Sequence, residues 1–379
     1  MRFLRLGLVL ALLPLAPLRA DRRPPYVPPL LRIGLLKQTT AVDLGPGDYL
    51  LEGPVPKKRL TLKKPARLQI AGAGFLLNKA RWGASVTIAP TTPADEVWVN
   101  GRPYRGRLEV TRTGPAFRVV NLLSVEDYLR GVLQMETSDT WPEQALKAQA
   151  VISRTYALRN RGRHGRQGYD FCREPHCQTY GGAQAERRLT DAAVDATRGE
   201  VLVDRKHRLV GAVYHSTCGG STESAENVWE RGGQSYLVPV SCKWCRASPH
   251  YTWMAKVSNE LVTRSLEAGG VHVGTVRALG ILSHTPSGRV YRVRVYGDRA
   301  TVDLKANAFR NLVDPRLIRS TFWSGLSKRG NVWQIHGRGW GHGVGLCQWG
   351  MRSLADKSMN YGQILRYYYR GVSIDDYRE

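Results

Sequence analysis

The spacing of apolar positions changes character along the chain. From Leu31 to about Asn121, short apolar runs alternate with turn residues, as in LRIGLL, RLQIAG, SVTIAP, VWVNGRPY and RLEVTR. Period-two alternation punctuated by Gly, Pro and Asn predicts strands with one buried face, and Asn100-Gly101 is a strong hairpin turn. A small β domain is expected there, without a catalytic constellation in it.

At Ser124 the period becomes helical. SVED combines an N-cap serine with an acidic first turn, so a short helix is expected over 125–133. A polar gap, METSDT, comes next and then TWPE, where Thr140 is the expected N-cap and Glu143 the reciprocal capping residue. The second helix is expected to run to about Arg161 and stop near Gly162. Its small residues (Ala145, Ala148, Ala150, Ser153, Ala157) predict close neighbours on more than one side. Residues 200–216 suggest a hairpin leading into a glycine loop. SNELVTRSLEAGG and KANAFRNLV read as helices, VHVGTVRALGILSHTPSGRVYRVRVYG as strand, turn, strand, and the end as the glycine loop GRGWGHGVGLCQWG plus a helix around GQILRYYYRG. The expected class is α+β: a small N-terminal β domain, then an α+β core carrying an inserted α+β subdomain.

The 379 residues leave room for roughly two or three domains, and a hydrophobic share of 42% supports sizeable cores. Arg2 and Arg5, the apolar run from Leu6 to Leu18, and Ala20 have the layout of a secretory signal peptide. No later segment is apolar enough over sufficient length to span a bilayer, so a secreted or periplasmic, cell-envelope location is expected. Residues 21–30 hold four prolines and read as a linker. The net charge of +25 is spread along the chain rather than gathered in one stripe. With export expected, an anionic envelope polymer is a better partner than nucleic acid.

Several motifs carry candidate chemistry. Glu136 stands in the polar gap, either as a surface acid or held out for catalysis. CREPHC brings Cys172, His176 and Cys177 together; with His164 upstream they form either a structural Cys2His2 zinc site or, for the two cysteines, a disulfide. Cys242 and Cys245 form a CxxC, and with Cys218 and Cys347 they can make two disulfides or a second zinc site. The glycine loop presents Trp340, His342 and Gln348 on a frame that lies close to its neighbours, suiting a sugar-binding wall. His215 and Ser216 are adjacent on a strand and so point to opposite faces, which argues against a serine hydrolase.

EDYLRGVLQMETSDTWPEQALKAQAVISRTYAL, CREPHCQTYGG, ATRGEVLV, VYHSTCGGSTESAENVW and GRGWGHGVGLCQWG, in this order, resemble the stage II sporulation protein D family, also called the amidase-enhancer (LytB) domain family. The resemblance spans about residues 119–371, with a divergent stretch over roughly 251–322. The implied layout is a signal peptide at 1–20, linker and β domain at 21–118, and a catalytic domain at 119–379. The family implies a peptidoglycan lytic transglycosylase whose catalytic glutamate lies five residues before the Trp-Pro, here Glu136. The family usually has Glu-Met-Pro where this chain has Glu136-Thr137-Ser138. The implied zinc ligands are Cys172, His176 and Cys177, with His164 as the fourth. Arg154, Tyr156, His215, Ser216, Trp340, His342 and Gln348 are the candidates for holding glycan, with Trp141, Tyr156 and Trp340 walling the acid. Another branch of the family enhances a cell-wall amidase, so a non-catalytic wall-binding role is the alternative.

Overall fold

The computed structural model describes residues 26–53, 57–229 and 233–378; the signal peptide expected at 1–20 and the first half of the proline-rich linker lie outside the described residues. The fold is α+β. The alternating runs of the first 124 residues form two sheets facing one another. One has seven strands in the order Phe171–Cys172, Leu30–Thr39, Ala116–Ser124, Arg107–Thr113, Ser85–Pro90, Gly47–Glu52, Lys58–Leu62, and the other has six. Leu108, Val110, Ile88 and Phe117 from the first pack on Leu44, Leu68, Phe75 and Leu77 from the second. Phe75 and Phe117 meet edge to face at 5.3 Å. The Asn100-Gly101 turn forms as expected, with φ of 48° and 74° joining Val97–Val99 to Arg102–Tyr104.

This β unit is fused to the C-terminal two thirds of the molecule. Strand Leu30–Thr39 pairs in parallel with Phe171–Cys172, and the same core takes in the inner face of α1 (Val125–Glu136). Helix α2 (Glu143–Arg159) buries twelve of its seventeen residues. Leu146, Ala150, Ala157 and Leu158 join the first core, while Ala145, Ala148, Val151 and Ile152 join a second one built from Leu202, Val344, Leu346, Met351 and Ile364. The small side chains of α2 thus serve two neighbours at once.

Three elements differ from expectation. Glu200–Val203 pairs with the C-terminal Ser373–Asp376, and Tyr214–His215 pairs in parallel with Leu346–Cys347, so residues 200–216 are not a regular hairpin. Gln348 begins a helix, Gln348–Asp356, capped by the Cys347 sulfur, rather than ending a loop. The third core, from Trp253 to Ile335, continues beyond the divergent stretch into the strands Trp323–Arg329 and Val332–Arg338. Within it the helices Asn259–Ala268 and Ala306–Val313 form where expected, with Ser258 accepting from the Leu261 N–H. Among the described residues, no helix is long and apolar enough to cross a membrane.

Candidate active site and cysteine clusters

Helix α1 runs one turn further than its sequence suggests. Glu136 is its last residue, not a member of a free gap. Thr137 closes the helix, since its N–H and its hydroxyl both donate to the Leu133 carbonyl, at 2.9 and 2.7 Å. Thr140 does not cap α2: Pro142 occupies that position, and its carbonyl takes the N–H groups of Ala145 and Leu146. The Thr140 hydroxyl faces Ser138 instead, at 2.9 Å.

Glu136 faces a cleft of about 1160 Å³ between the first two cores and the third. Tyr156, His215, Ser216, Trp340, His342 and Gln348 line it too, as do His176 and Cys177. Six of the seven expected glycan-holding residues therefore meet around one acid. Arg154 does not. It is fully buried in a two-pronged pair with Glu126, at 3.0 and 2.7 Å, and it also donates to the Glu200 and Val194 carbonyls. Trp141 also lies away from the cleft, against Trp349 at 5.7 Å.

The surroundings of Glu136 favour its protonated form. Burial raises its pKa, against opposing hydrogen bonds from the Thr179 N–H, Gln348 and the Tyr214 hydroxyl. The Thr179 contact measures 3.0 Å, and Gln348 also donates to the Glu136 backbone carbonyl at 2.9 Å. A carboxylate at a helix C-terminus meets the negative end of the dipole, and no basic residue stands in the last turn of α1 to offset it. Among the described residues lining the cleft, Glu136 is the sole carboxylate.

The opposite wall depends on the glycines. Gly341 has φ of 112°, and a Cβ there would come within 2.7 Å of the His215 Cβ. His215 is buried, with Nδ1 3.1 Å from the Val344 carbonyl and Nε2 without a hydrogen-bond partner among the described residues. Burial, helped by nearby His342 and Arg289, holds the His215 pKa well below the usual value. His342 is lowered to about 4, chiefly by burial and then by Arg310. Both imidazoles are thus neutral at neutral pH. Trp229 packs on His342 at 5.0 Å and Trp340 on His250 at 4.4 Å, leaving two indoles along the wall.

Sequence reasoning passes over Tyr214, Thr179, Trp229 and Arg310. Tyr214 is overshadowed by the adjacent His215-Ser216. Thr179 acts through its backbone, which carries no residue-type signal.

His164, Cys172, His176 and Cys177 converge, with ligand atoms all within 4.8 Å of one another. The Cys172 and Cys177 sulfurs are 3.5 Å apart, and His164 Nε2 lies 3.3 Å from Cys177 Sγ. A disulfide needs about 2.05 Å, so these are free thiols. Two imidazoles and two thiols at this spacing can hold a tetrahedral metal ion. The cluster also pins the loop that presents the Thr179 N–H to Glu136.

A family model described as stage II sporulation protein matches residues 113–203, and one described as a domain of unknown function matches 243–345. An uncharacterized protein of Brachyspira hyodysenteriae is 35% identical over 284 residues, covering 75% of each chain. Stage II sporulation protein D of Bacillus subtilis is 28% identical over 78% of this chain and 87% of its own. The amidase enhancer of the same organism is 25% identical over 66% of this chain but only 40% of its own. The chain belongs to the stage II sporulation protein D and amidase-enhancer family.

Proposed function

We propose that this protein is an exported lytic transglycosylase that cuts peptidoglycan glycan strands, with Glu136 as its single acid and base. The observation that carries the reading is one lone carboxylate, held toward its protonated form, in a cleft large enough for sugar rings. Ordinary glycosidases divide the work between two carboxylates. Here the attacking group is instead the C6 hydroxyl of the N-acetylmuramyl residue being cleaved. Glu136 gives its proton to the glycosidic oxygen as the C1–O bond breaks. The resulting carboxylate then takes the proton of the C6 hydroxyl as that oxygen bonds to C1. The products are a 1,6-anhydro end and a new sugar hydroxyl, with no water consumed.

The other residues position the chain of sugars. Neutral His215 and His342 hydrogen-bond sugar hydroxyls without placing a charge beside the acid, and Trp229 and Trp340 offer ring faces for stacking. The Thr179 N–H and Gln348 fix the direction of the Glu136 side chain. His164, Cys172, His176 and Cys177 would hold a structural zinc ion that ties down the loop beside the cleft. The +25 net charge suits an anionic wall polymer.

Digestion of purified glycan strands, with and without stem peptides, tests this by product mass. The intact chain releases anhydro-muropeptides, and Glu136→Gln releases none while still binding sacculi. Unchanged anhydro products from that variant would show that Glu136 is not the catalyst. The likeness to an amidase enhancer motivates the other reading, a wall-binding stimulator of an amidase. In that case the intact chain releases nothing until an amidase is added.

A further inference from the structure

Four cysteines outside the cleft form a second cluster. Cys218, Cys242, Cys245 and Cys347 are each fully buried, and their sulfurs all lie within 4.8 Å of one another. The spacing separates the chemistries open to four thiols. Two disulfides would need sulfurs about 2.05 Å apart, whereas Cys218 and Cys245 stand at 3.4 Å. An iron–sulfur cubane places each thiolate on a different iron and so spreads the sulfurs widely. Four sulfurs each about 2.3 Å from one tetrahedral ion lie about 3.8 Å apart along every edge. The observed cluster matches that last case, and Cys242-x-x-Cys245 has the spacing of a zinc-binding pair.

Two independent observations point to a charged occupant. The first is a set of hydrogen bonds aimed at sulfur. The Cys218 N–H donates to Cys347 Sγ at 3.2 Å, and the Gly350 N–H to the same sulfur at 3.4 Å. The Gly220 N–H reaches Cys218 Sγ at 3.5 Å, and the Tyr368 hydroxyl lies 3.2 Å from Cys242 Sγ. Such donors around ligand atoms orient them and stabilise thiolates. Gly350 must be glycine for this, because a Cβ there would sit 2.8 Å from Cys242 Sγ and 2.1 Å from the Tyr368 hydroxyl.

The second observation is Arg289, which is 1% exposed. Its Nη2 donates to the carbonyls of Cys218 and Ser221, at 2.6 and 3.2 Å, while Nε and Nη1 have no hydrogen-bond partner among the described residues. An uncompensated guanidinium in an apolar interior is costly. The neighbouring acid Glu223 is already engaged with Thr285, Ser287, Asn227 and the Ser224 N–H. Four thiolates on a divalent cation carry two net negative charges, which add to the Glu223 carboxylate as counter-charge for the guanidinium.

We propose that Cys218, Cys242, Cys245 and Cys347 form a closed tetrathiolate zinc site, separate from the His/Cys cluster beside the cleft, with Arg289 as its buried counter-ion. The site is structural. Cys218 lies three residues after His215, and Cys347 immediately precedes Gln348. One ion therefore ties together the parallel pair Tyr214–His215 and Leu346–Cys347, which carries one wall of the cleft. The proposal does not depend on which reaction the cleft performs.

Zinc content and zinc X-ray absorption of the full chain test it. The intact protein should carry two zinc ions per chain with a mean shell of three sulfurs and one nitrogen. The double variant His164→Ala/His176→Ala leaves the second cluster untouched and should keep one zinc with an all-sulfur shell. One zinc with a two-nitrogen shell in the intact protein would overturn the proposal. So would a double variant that folds without zinc, iron with inorganic sulfide in place of zinc, or a disulfide among these four cysteines in peptide mass mapping.

Discussion

Replacing Glu136 by Gln should make the protein more stable, and only above the pH at which the acid ionises. The carboxylate sits at the C-terminus of α1, with no basic residue in the last turn and a pKa raised by burial. A raised folded-state pKa means that the folded protein holds the proton more tightly than the unfolded chain does. Its stabilising contribution is therefore complete below the unfolded value and disappears as pH climbs through the folded one. An anion facing the negative end of a helix dipole costs about 0.3–1 kcal/mol, and burial acts in the same direction. Glutamine keeps an oxygen for the Thr179 N–H and carries no charge. The expected gain at pH 8 is at least that dipole cost, a rise in Tm of roughly 1–3 °C for a chain of this size. At pH 4 glutamine replaces a protonated acid of nearly the same shape, and the difference should vanish. Paired thermal melts at the two pH values measure it. A lower Tm for the variant at pH 8, or a gap independent of pH, would refute the argument that Glu136 is held at a cost to stability.

Other perturbations separate the roles of neighbouring residues. Tyr214→Phe removes a donor to the carboxylate, so the alkaline limb of the activity profile should move to higher pH; a shift to lower pH contradicts this placement of the hydroxyl. Arg154→Ala strands a buried Glu126 and should cost about 3–5 kcal/mol in chemical denaturation, with no change in KM for the fraction that remains folded. Cys172→Ala should lower bound metal by one equivalent and depress activity by loosening the loop that carries Thr179, leaving the β sandwich folded by circular dichroism.

The chain is legible where local forces decide. Alternation in RLEVTR and SVTIAP and the Asn100-Gly101 turn specify the sandwich, and Ser258 and Gly269 bound their helix as expected. Legibility fails where partners are distant in sequence. Arg154 looks like a ligand-holding cation because its partner, Glu126, lies on another helix 28 residues away. The helix Gln348–Asp356 is hidden because its cap is a cysteine sulfur behind a run of glycines. Glu136 looks free because Thr137 and Ser138 suggest a break, whereas the Thr137 hydroxyl extends the helix by bonding back to Leu133. The apparent break conceals an electrostatic reason for the acid's raised pKa.

The parallel pairing of Leu30–Thr39 with Phe171–Cys172 bears on how the molecule can be divided. Cys172 hangs from the edge of the N-terminal sheet, so a candidate metal ligand takes its position from a strand more than 130 residues earlier. Removing the β unit to isolate the second half would free that loop. It would also leave Phe171–Cys172 without the strand it pairs with, an unpaired edge of the kind that recruits other chains. A fragment that keeps this loop in place must therefore include Leu30–Thr39, and the β unit acts as a jig for the cleft, not a detachable accessory.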